Sequence, residues 1–272
     1  MFELYNRIKS KLQRDYISKK LDSTEYQLDM TFVDTNNNWY HPLFAGPLTF
    51  KDSLQSSETL KDVLGVLRKL DADEYVDFNI NFIEKGLNNF GDDWRYGDIN
   101  TALYSISKKI KVKNYLEIGV RRGRSMSMVA INQPNANIVG FDMWIENYVG
   151  QENPGANFVK NELKNIGYIG NLTLIEGNSR VTVPKYFKEN KDLFFDIITV
   201  DGDHTRKGAK IDLQNVIPRL KVGGFLVFDD IINPWHTQLK KLWYKMVIKN
   251  ERFLSYSFDE NGYGVGIAIK KW

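Results

Sequence analysis

Acidic side chains and a histidine gather in two short stretches of the chain, TVDGDH at residues 199–204 and VFDDI at residues 227–231. Each stretch ends an apolar run that predicts a strand, and the acids are Asp201, Asp203, Asp229 and Asp230. Carboxylates that lie close together raise one another's pKa unless a cation lies between them. Mg²⁺ prefers oxygen ligands and keeps several waters, so these carboxylates and a substrate's hydroxyls would suit it. The stretches therefore predict a divalent-cation site, unless Asp203 only shapes a turn and Asp230 only caps a helix.

Two of the three histidines adjoin these acids. His204 ends the first stretch, and His236 follows the second within NPWHTQLKKLW. An imidazole with an ordinary pKa of about 6.5 suits proton abstraction near neutral pH, and neighbouring carboxylates would raise that pKa. We therefore predict His204 as a general base, with His236 as a substrate contact or the alternative base. His41 has no such neighbours in the sequence and is predicted to be a surface or loop residue.

A glycine turn within NYLEIGVRRGRSM, which begins at Asn114, predicts a ligand that carries positive charge. Glu117 precedes Gly119, which allows close backbone approach, and Gly123 can open the next helix. A dinucleotide fingerprint needs a glycine where Arg121 stands, and a carboxylate before the turn would repel phosphate. The turn therefore favours a cationic ligand over a pyrophosphate, although an ordinary strand-turn-helix would show the same pattern.

Two further strand ends carry groups that suit a nucleoside. Asp142 ends an apolar run, where a carboxylate can accept hydrogen bonds from ribose hydroxyls, and Trp144 either covers an adenine or caps the core. Asn178 and Ser179 offer neutral hydrogen-bonding groups for an adenine edge, although a plain loop explains them almost as well. A nucleoside that bears a positive centre and no phosphate fits this set, and S-adenosylmethionine is such a molecule.

The secondary-structure elements that must position these residues can be predicted from the pattern of apolar runs along the chain. From about Tyr96 onward, short apolar runs alternate with helix-length segments, which predicts a parallel sheet with crossover helices. The turn chemistry of residues 259–262, DENG, predicts that the last two strands are antiparallel neighbours. Residues 1–95 are predicted to form a helical N-terminal extension or cap, interrupted by the irregular stretch DTNNNWYHPLFAGPLTF at residues 34–50. Ligands of such a sheet bind at the carboxyl ends of its strands, where the residues above are found.

Composition limits the function further. The 272 residues carry a net charge of only +3, which gives no reason to expect nucleic acid as a partner. The chain has no cysteine, so disulfides, thiol catalysis and cysteine-ligated zinc are excluded. No apolar run approaches the roughly 18 residues of a membrane span, and the first 20 residues are too charged for a secretory signal. A cytoplasmic protein without an integral membrane segment is expected, and a homo-oligomer is compatible with the sequence.

The ordered set YLEIGVRRGRS, VGFDMW, LIEGNS, VDGDH and LKVGGFLVFDDI resembles the class I S-adenosylmethionine-dependent methyltransferases. Within that class the set is similar to small-molecule O-methyltransferases of the catechol and macrolide-sugar kind and to the cephalosporin hydroxylase-like group. The resemblance extends from about Arg95 to the C-terminus. It implies an α/β fold with a Rossmann-like, mostly parallel sheet of seven strands, helices on both faces and an antiparallel C-terminal strand. Residues 96–272 would form the S-adenosylmethionine-binding methyltransferase domain.

The resemblance also implies roles for individual residues. Glu117 and Gly119 would lie by the methionine part of the cofactor, Asp142 on its ribose and Ser179 near its adenine. The full set expected to bind the cofactor is Tyr96, Gly97, Glu117, Gly119, Gly123, Ser125, Asp142, Met143, Trp144, Asn178, Ser179 and Asp201. Asp201, Asp229 and Asp230 match the metal ligands of the metal-dependent enzymes, and His204 stands where catechol-type enzymes carry their general-base lysine. Arg121 and Arg122 are unusual beside a sulfonium and are expected to point outward.

These features together predict an O-methyltransferase that acts on a hydroxyl of a small molecule or sugar, assisted by Mg²⁺. Asp201, His204 and His236 would be its catalytic residues. The aromatic residues Trp39, Tyr40, Phe44, Trp94 and Tyr96 would line an acceptor pocket or belong to the core. Three other functions stay open: a metal-dependent glycosyltransferase that uses Asp201 and Asp203 as a D-x-D, a non-catalytic cofactor-binding protein of the same fold, and an NAD-dependent enzyme.

Overall fold

The computed structural model describes residues 46–147 and 150–271. Predictions for residues 1–45 lie outside this part of the chain, among them those for Trp39, Tyr40, His41 and Phe44. Within the described residues, no helix has the length and apolar character needed to cross a membrane.

The first described elements are helices, as the sequence predicts for this region. They are α1 (Leu48–Leu54), α2 (Ser57–Leu67), α3 (Glu74–Phe90), a 3₁₀ turn (Gly91–Asp93) and α4 (Ile99–Lys109). Side chains cap three of them, because Ser56, Asp73 and Asp98 each accept a hydrogen bond from a backbone N–H of the following first turn. The predicted irregular stretch reaches too far, since α1 begins at Leu48 directly after Pro47, a residue that fits the start of a helix.

The sheet has seven strands in the order β3-β2-β1-β4-β5-β7-β6. The strands are β1 (Asn114–Ile118), β2 (Asn137–Asp142), β3 (Leu172–Glu176), β4 (Phe195–Val200), β5 (Leu220–Asp229), β6 (Phe253–Phe258) and β7 (Val265–Lys270). The first five pair in parallel, whereas β7 runs antiparallel to both β5 and β6. The predicted mostly parallel sheet, the antiparallel C-terminal strand and the final hairpin are therefore confirmed.

Helices cover both faces of the sheet, which also confirms the prediction. The helices that follow the first strands are α5 (Arg124–Ala130), α6 (Ala156–Asn165), α7 (Ser179–Glu189), α8 (Arg206–Val216) and α9 (Gln238–Trp243). The alternating inward side chains of each strand divide between two apolar clusters. One cluster joins Tyr115 and Ile197 to α1, α2, α4 and α5, and the other joins Leu116 and Ile198 to α7, α8 and α9.

The described part of the predicted N-terminal extension shares its core with the sheet. Leu54 and Leu60 are fully buried in the same apolar cluster as Tyr115 and Phe225. The ring of Phe50 also meets the ring of Phe225 edge-on, with 5.0 Å between their centroids. Helices α1 and α2 therefore complete one face of the sheet, while the division at residue 95 stays a prediction.

Candidate active site

Glu117, near the end of β1, is buried and held by two hydroxyl groups. The hydroxyls of Tyr115 and Ser125 donate hydrogen bonds to its two carboxylate oxygens, at 2.5 Å each. Burial raises the pKa of Glu117 to about 8, although these two hydrogen bonds act in the opposite direction. A buried acid of this kind gains from a cationic group placed beside it, because an opposite charge favours its ionised form.

The glycine turn after β1 is fixed by close packing of the backbone. Gly119 has a φ of 92°, and a Cβ there would lie 2.0 Å from the carbonyl oxygen of Asp201. Gly123, with a φ of 79°, directly precedes α5 as its N-cap, and a Cβ there would lie 2.9 Å from a methyl of Val159. Both glycines are therefore required by the contacts of the turn with the rest of the chain, and Gly119 brings the ends of β1 and β4 together.

Asp142, at the end of β2, organises the same turn. One of its carboxylate oxygens accepts the backbone N–H of Arg121 at 2.7 Å, and the other accepts the backbone N–H of Trp144 at 2.6 Å. The indole of Trp144 donates to the carbonyl of Arg121 and is only 8% exposed, so this ring caps the core. Met143 beside it is 48% exposed. Each oxygen of Asp142 keeps room for one further donor, as binding of a ribose would need.

Arg122 does not point outward, which corrects the prediction for this residue. Its side chain is 9% exposed and lies between three acids, Asp71, Asp73 and Glu152, at 3.8, 3.4 and 3.7 Å. Its guanidinium also stacks on Phe158, 4.3 Å from the ring centroid. The acids come from the segment before α3 and from the loop before α6, positions that the local sequence around Arg122 could not indicate.

The side chain of the neighbouring Arg121 also contacts other residues. Its guanidinium donates a short hydrogen bond to Gln151 and lies 5.5 Å from the ring centroid of Tyr75. The expectation of an outward side chain is therefore wrong here too. Arg124 stacks more closely on the same ring, at 4.1 Å.

The residues predicted near adenine begin α7. The side chain of Asn178 accepts the backbone N–H of Arg180 at 3.0 Å and so caps the helix, of which Ser179 is the first residue. Below them, burial raises the pKa of Asp212 of α8 to about 6. The loop after β3 thus combines a helix cap with polar side chains at the carboxyl edge of the sheet.

Tyr96 and Gly97 lie in the segment that leads into α4. Tyr96 stacks on Trp94 with 5.5 Å between ring centroids and meets Phe82 of α3 edge-on at 4.9 Å. Burial raises the pKa of Tyr96, and the charges of Asp98 and Asp229 add to the effect. A Cβ on Gly97 would lie 2.9 Å from Leu54 and 3.1 Å from Phe258, so this glycine packs against the core.

Asp201, His204 and Asp230 converge at the ends of β4 and β5. The Nε2 atom of His204 lies 3.2 Å from Oδ1 of Asp201, and its Nδ1 atom lies 3.4 Å from Oδ2 of Asp230. Asp230 adopts a φ of 61°, and its carboxylate also accepts a hydrogen bond from Asn233. One ligand atom from each of the three residues lies within 4.8 Å of the others, a spacing that could hold a metal ion.

The charges of these groups are strongly coupled. Burial acts to lower the pKa of His204, but its hydrogen bond to Asp201 and the charges of Asp201 and Asp230 outweigh burial and raise it. Burial and the charge of Asp201 raise the pKa of Asp230. The raised pKa of His204 thus favours the protonated imidazole between the two carboxylates.

Asp229 and Asp203 stand apart from this group. Burial, followed by the charges of Asp201 and Asp230, raises the pKa of Asp229 well above its ordinary value. Asp203 instead forms a short ion pair with Arg180 and accepts the backbone N–H of Thr205 at 2.8 Å. Although burial opposes the change, these hydrogen bonds lower the pKa of Asp203. Asp203 therefore shapes the turn before α8.

The second predicted histidine lies beside the first. The rings of His236 and His204 meet edge-on with 4.8 Å between their centroids. Trp235 before it is 73% exposed and meets Tyr263 edge-on at 5.9 Å. A polar centre and exposed aromatic rings thus share the carboxyl edge of the sheet.

Sequence reasoning missed Tyr75 and Arg124 at this edge. Burial is the main cause that raises the pKa of Tyr75, and the charges of Asp229 and Asp201 add to it, which locates its hydroxyl near the carboxylates. Tyr75 lies on α3, within the region that resembles no family, so only the tertiary structure brings it here. The run of arginines after Gly119 was the one available signal for Arg124.

Such a sheet, with a glycine turn after β1 and polar residues at the ends of β2, β3 and β4, defines a Rossmann-like methyltransferase fold. Residues 116–231 match the sequence profile of a family described as a methyltransferase domain. Over this segment, which is less than half of the chain, the sequence is similar to a methyltransferase domain, and the resemblance inferred from the sequence is confirmed. An uncharacterized protein of Acanthamoeba polyphaga mimivirus is 28% identical over 151 residues, which cover 54% of this chain and 66% of that protein.

Solved structures support the same fold. The O-methyltransferase TomG from Streptomyces achromogenes, in complex with S-adenosylmethionine, has a TM-score of 0.52 at 15% identity and covers 75% of this chain and 92% of its own. A methyltransferase from Podospora anserina, bound to S-adenosylhomocysteine, has a TM-score of 0.51 at 15% identity, with 79% and 88% covered. At these identities the similarity shows the fold alone.

Proposed function

We propose that the protein transfers the methyl group of S-adenosylmethionine to a hydroxyl oxygen of a small-molecule acceptor, with a sugar as the leading candidate. The observation that carries this proposal is the arrangement of Glu117, Asp142 and the Asp201–His204–Asp230 group along one edge of the sheet. Strand ends of a doubly wound sheet are where such folds bind ligands. The cofactor, when bound, supplies a methyl group on a positively charged sulfur.

The cofactor pocket that we propose runs along the ends of β1, β2 and β3. Buried Glu117 would receive the ammonium group of the methionine part, since a cation beside it offsets the cost of ionising a buried acid. Asp142 has one free acceptor position on each oxygen for the two ribose hydroxyls. Ser179 and Asn178, at the start of α7, offer polar groups to the adenine edge.

A divalent cation fits the group formed by Asp201, His204 and Asp230. Ligands on adjacent corners of an octahedron with bonds of about 2.1 Å lie roughly 3 Å apart, and one atom from each of these side chains lies within 4.8 Å of the others, so small side-chain movements would close the site around an ion. This donor set contains an imidazole in place of the predicted Asp229. Imidazole suits first-row transition metals better than it suits Mg²⁺. We therefore propose that this site binds Mn²⁺ more tightly than Mg²⁺. Such a cation would lower the pKa of a chelated acceptor hydroxyl.

The roles of the two histidines follow from their contacts. Both ring nitrogens of His204 face carboxylates, so this side chain is suited to bind a cation or to balance Asp201 and Asp230. The ring of His236 meets it edge-on and is only partly buried. We therefore assign His236 as the base that accepts the proton of the acceptor hydroxyl, with Asp201 orienting His204.

The acceptor would enter beside the exposed aromatic rings of the edge. Trp235 and Tyr263 lie at this edge, and Tyr96 lies near the same loop, since a Cβ on Gly262 would lie 3.4 Å from its hydroxyl. Aromatic faces next to carboxylates and histidines suit a ligand with both apolar ring faces and hydroxyl groups, as sugars have. The glycosyltransferase alternative is disfavoured because Asp203 is paired with Arg180 and does not join Asp201.

Calorimetry with S-adenosylhomocysteine tests the proposal directly. We expect saturable binding of this ligand and none of UDP-glucose or NAD⁺, each measured with and without Mn²⁺. Methyl transfer from S-adenosylmethionine to a panel of glycosides is then followed by mass spectrometry as a gain of one methyl group. Binding of UDP-glucose without binding of S-adenosylhomocysteine would overturn the proposal, and cofactor binding without transfer to any acceptor would favour a non-catalytic role.

A further inference from the structure

Arg121 and Arg122 lie within the glycine turn and Arg124 directly follows it, and among the described residues only Arg122 has acidic partners. Arg122 lies between three acids, as described above. For Arg121 and Arg124, the described part of the chain provides no carboxylate within ion-pair distance. A partly buried cation without a counter-ion is costly, so an arrangement of this kind favours the binding of an anion.

The two arginines are held by one tyrosine. Their guanidinium carbons lie 4.1 Å (Arg124) and 5.5 Å (Arg121) from the ring centroid of Tyr75. The Nε atom of each is buried and has no hydrogen-bond partner among the described residues. Stacking on the ring fixes the planar groups without neutralising their charge, because the ring offers only its face.

These guanidinium groups lie beside the proposed pocket. Arg124 directly precedes Ser125, whose hydroxyl donates to Glu117, and Arg121 carries the backbone N–H that Asp142 accepts. The ring of Tyr75 is close enough to the ends of β4 and β5 to be influenced by the charges of Asp201 and Asp229. The ring of Tyr75 thus connects the two guanidinium groups to the strand ends where we propose that the cofactor and the acceptor meet.

We propose that Arg124, with Arg121 and Tyr75, forms a carboxylate-binding site at this boundary. The inference rests on the proposed function, because the carboxylate would come from the methionine part of S-adenosylmethionine or from an acidic sugar acceptor. In the first case, Glu117 and Arg124 together recognise an α-amino acid, one through its ammonium group and the other through its carboxylate. A planar guanidinium can bind both oxygens of a carboxylate at once.

Two related ligands separate the sources. S-adenosylhomocysteine carries the carboxylate, and 5′-methylthioadenosine has the same nucleoside without it. Arg124→Gln should lower the affinity for S-adenosylhomocysteine about 10- to 100-fold, the range expected for loss of a hydrogen bond to a charged group. The affinity for 5′-methylthioadenosine should not change. Arg124→Lys should recover part of the loss. Tyr75→Leu should resemble Arg124→Gln, whereas Tyr75→Phe keeps the ring and should bind normally.

Arg95→Gln is the matched control, since the guanidinium of Arg95 donates to the backbone carbonyls of Asp92 and Trp94 near the surface. If Arg124→Gln binds S-adenosylhomocysteine normally, a second titration with glucuronate and glucose follows in the presence of that cofactor product. Selective loss of glucuronate binding would show that the site binds the carboxylate of the acceptor. Normal binding of both ligands by Arg124→Gln would overturn the proposal. If neither nucleoside binds to the unmodified protein, the proposed function itself is contradicted, whatever Arg124 does.

Discussion

The Nε2 atom of His204 lies 3.2 Å from the Oδ1 atom of Asp201. Since the other ring nitrogen faces Asp230, the imidazole is committed on both sides. A histidine in this position cannot accept a proton from an acceptor without giving up one of these contacts. A cation would need the neutral imidazole. Metal binding therefore competes with protonation of His204 between Asp201 and Asp230.

This competition predicts metal binding that depends on pH. Because the pKa of His204 is raised, we expect Mn²⁺ affinity to increase as pH rises through a value above 6.5, as the imidazole loses its proton. Titration of Mn²⁺ by calorimetry between pH 6 and pH 8.5 measures the effect. His204→Ala and Asp230→Ala should abolish binding, whereas Asp203→Ala should retain it because Asp203 is paired with Arg180. Equal affinity in all three variants would exclude this metal site.

Turnover separates the two histidines. We expect His236→Ala to lower the rate of methyl transfer by about 10²- to 10⁴-fold, the usual range for loss of a general base, while Mn²⁺ binding is retained. EDTA should abolish transfer by the unmodified enzyme, and added Mn²⁺ should restore it. Full activity in EDTA would indicate a metal-independent enzyme, and normal turnover of His236→Ala would remove the assignment of the base.

Asp142 is expected to contribute much of the cofactor affinity. Asp142→Ala removes the acceptor for two ribose hydroxyls, and hydrogen bonds to a charged group contribute about 1.5–3 kcal/mol. We expect S-adenosylhomocysteine to bind roughly 10- to 100-fold more weakly, as measured by calorimetry. Asp142→Asn keeps one acceptor oxygen and should lose less. Unchanged affinity in a folded Asp142→Ala protein would show that the ribose lies elsewhere.

Glu117 should make the free energy of unfolding fall as pH rises. Its pKa of about 8 in the folded protein exceeds the value near 4.5 of an exposed glutamate, so between these values the folded state binds more protons than the unfolded state. Stability contributed by the protonated acid is then complete below pH 4.5 and decreases by up to about 1.4 kcal/mol per pH unit toward pH 8. Urea unfolding at pH 5.5 and pH 8 should show this slope, and Glu117→Gln should reduce it. An equal slope in both proteins would assign the effect to other groups.

The turn after β1 provides a test of packing. Gly119→Ala places a Cβ 2.0 Å from the carbonyl oxygen of Asp201 and forces a non-glycine residue into positive φ. We expect a loss of at least about 2 kcal/mol in the free energy of unfolding. At Gly150, also at positive φ, a Cβ would meet no atom within 4 Å, so Gly150→Ala measures the backbone strain alone. Similar losses in the two variants would mean that the turn relaxes.

The sheet could be predicted because each strand is a short apolar run that ends in turn residues. The same pattern predicted the candidate site, since Glu117, Asp142 and Asp201 all stand near strand ends. What the sequence could not show depends on elements far apart along the chain. Arg122 meets acids that precede α3, Tyr75 reaches the site from α3, and His204 faces Asp230 only after β4 and β5 pair. Local patterns predict which face a side chain lies on, but not which distant residue it contacts.

The core shared by α1, α2 and the sheet bears on how the chain can be divided. Leu60, Val63 and Leu67 of α2 are fully buried, and burying a side chain of this size contributes roughly 1.5–3 kcal/mol. A fragment that begins at residue 96 would expose the apolar surfaces of α4 and the sheet that these side chains cover. It would therefore self-associate or unfold, even though it holds most of the groups that we propose to be catalytic. Residues 46–271 are expected to melt in a single cooperative transition, and recombinant work should retain the helices that precede the sheet.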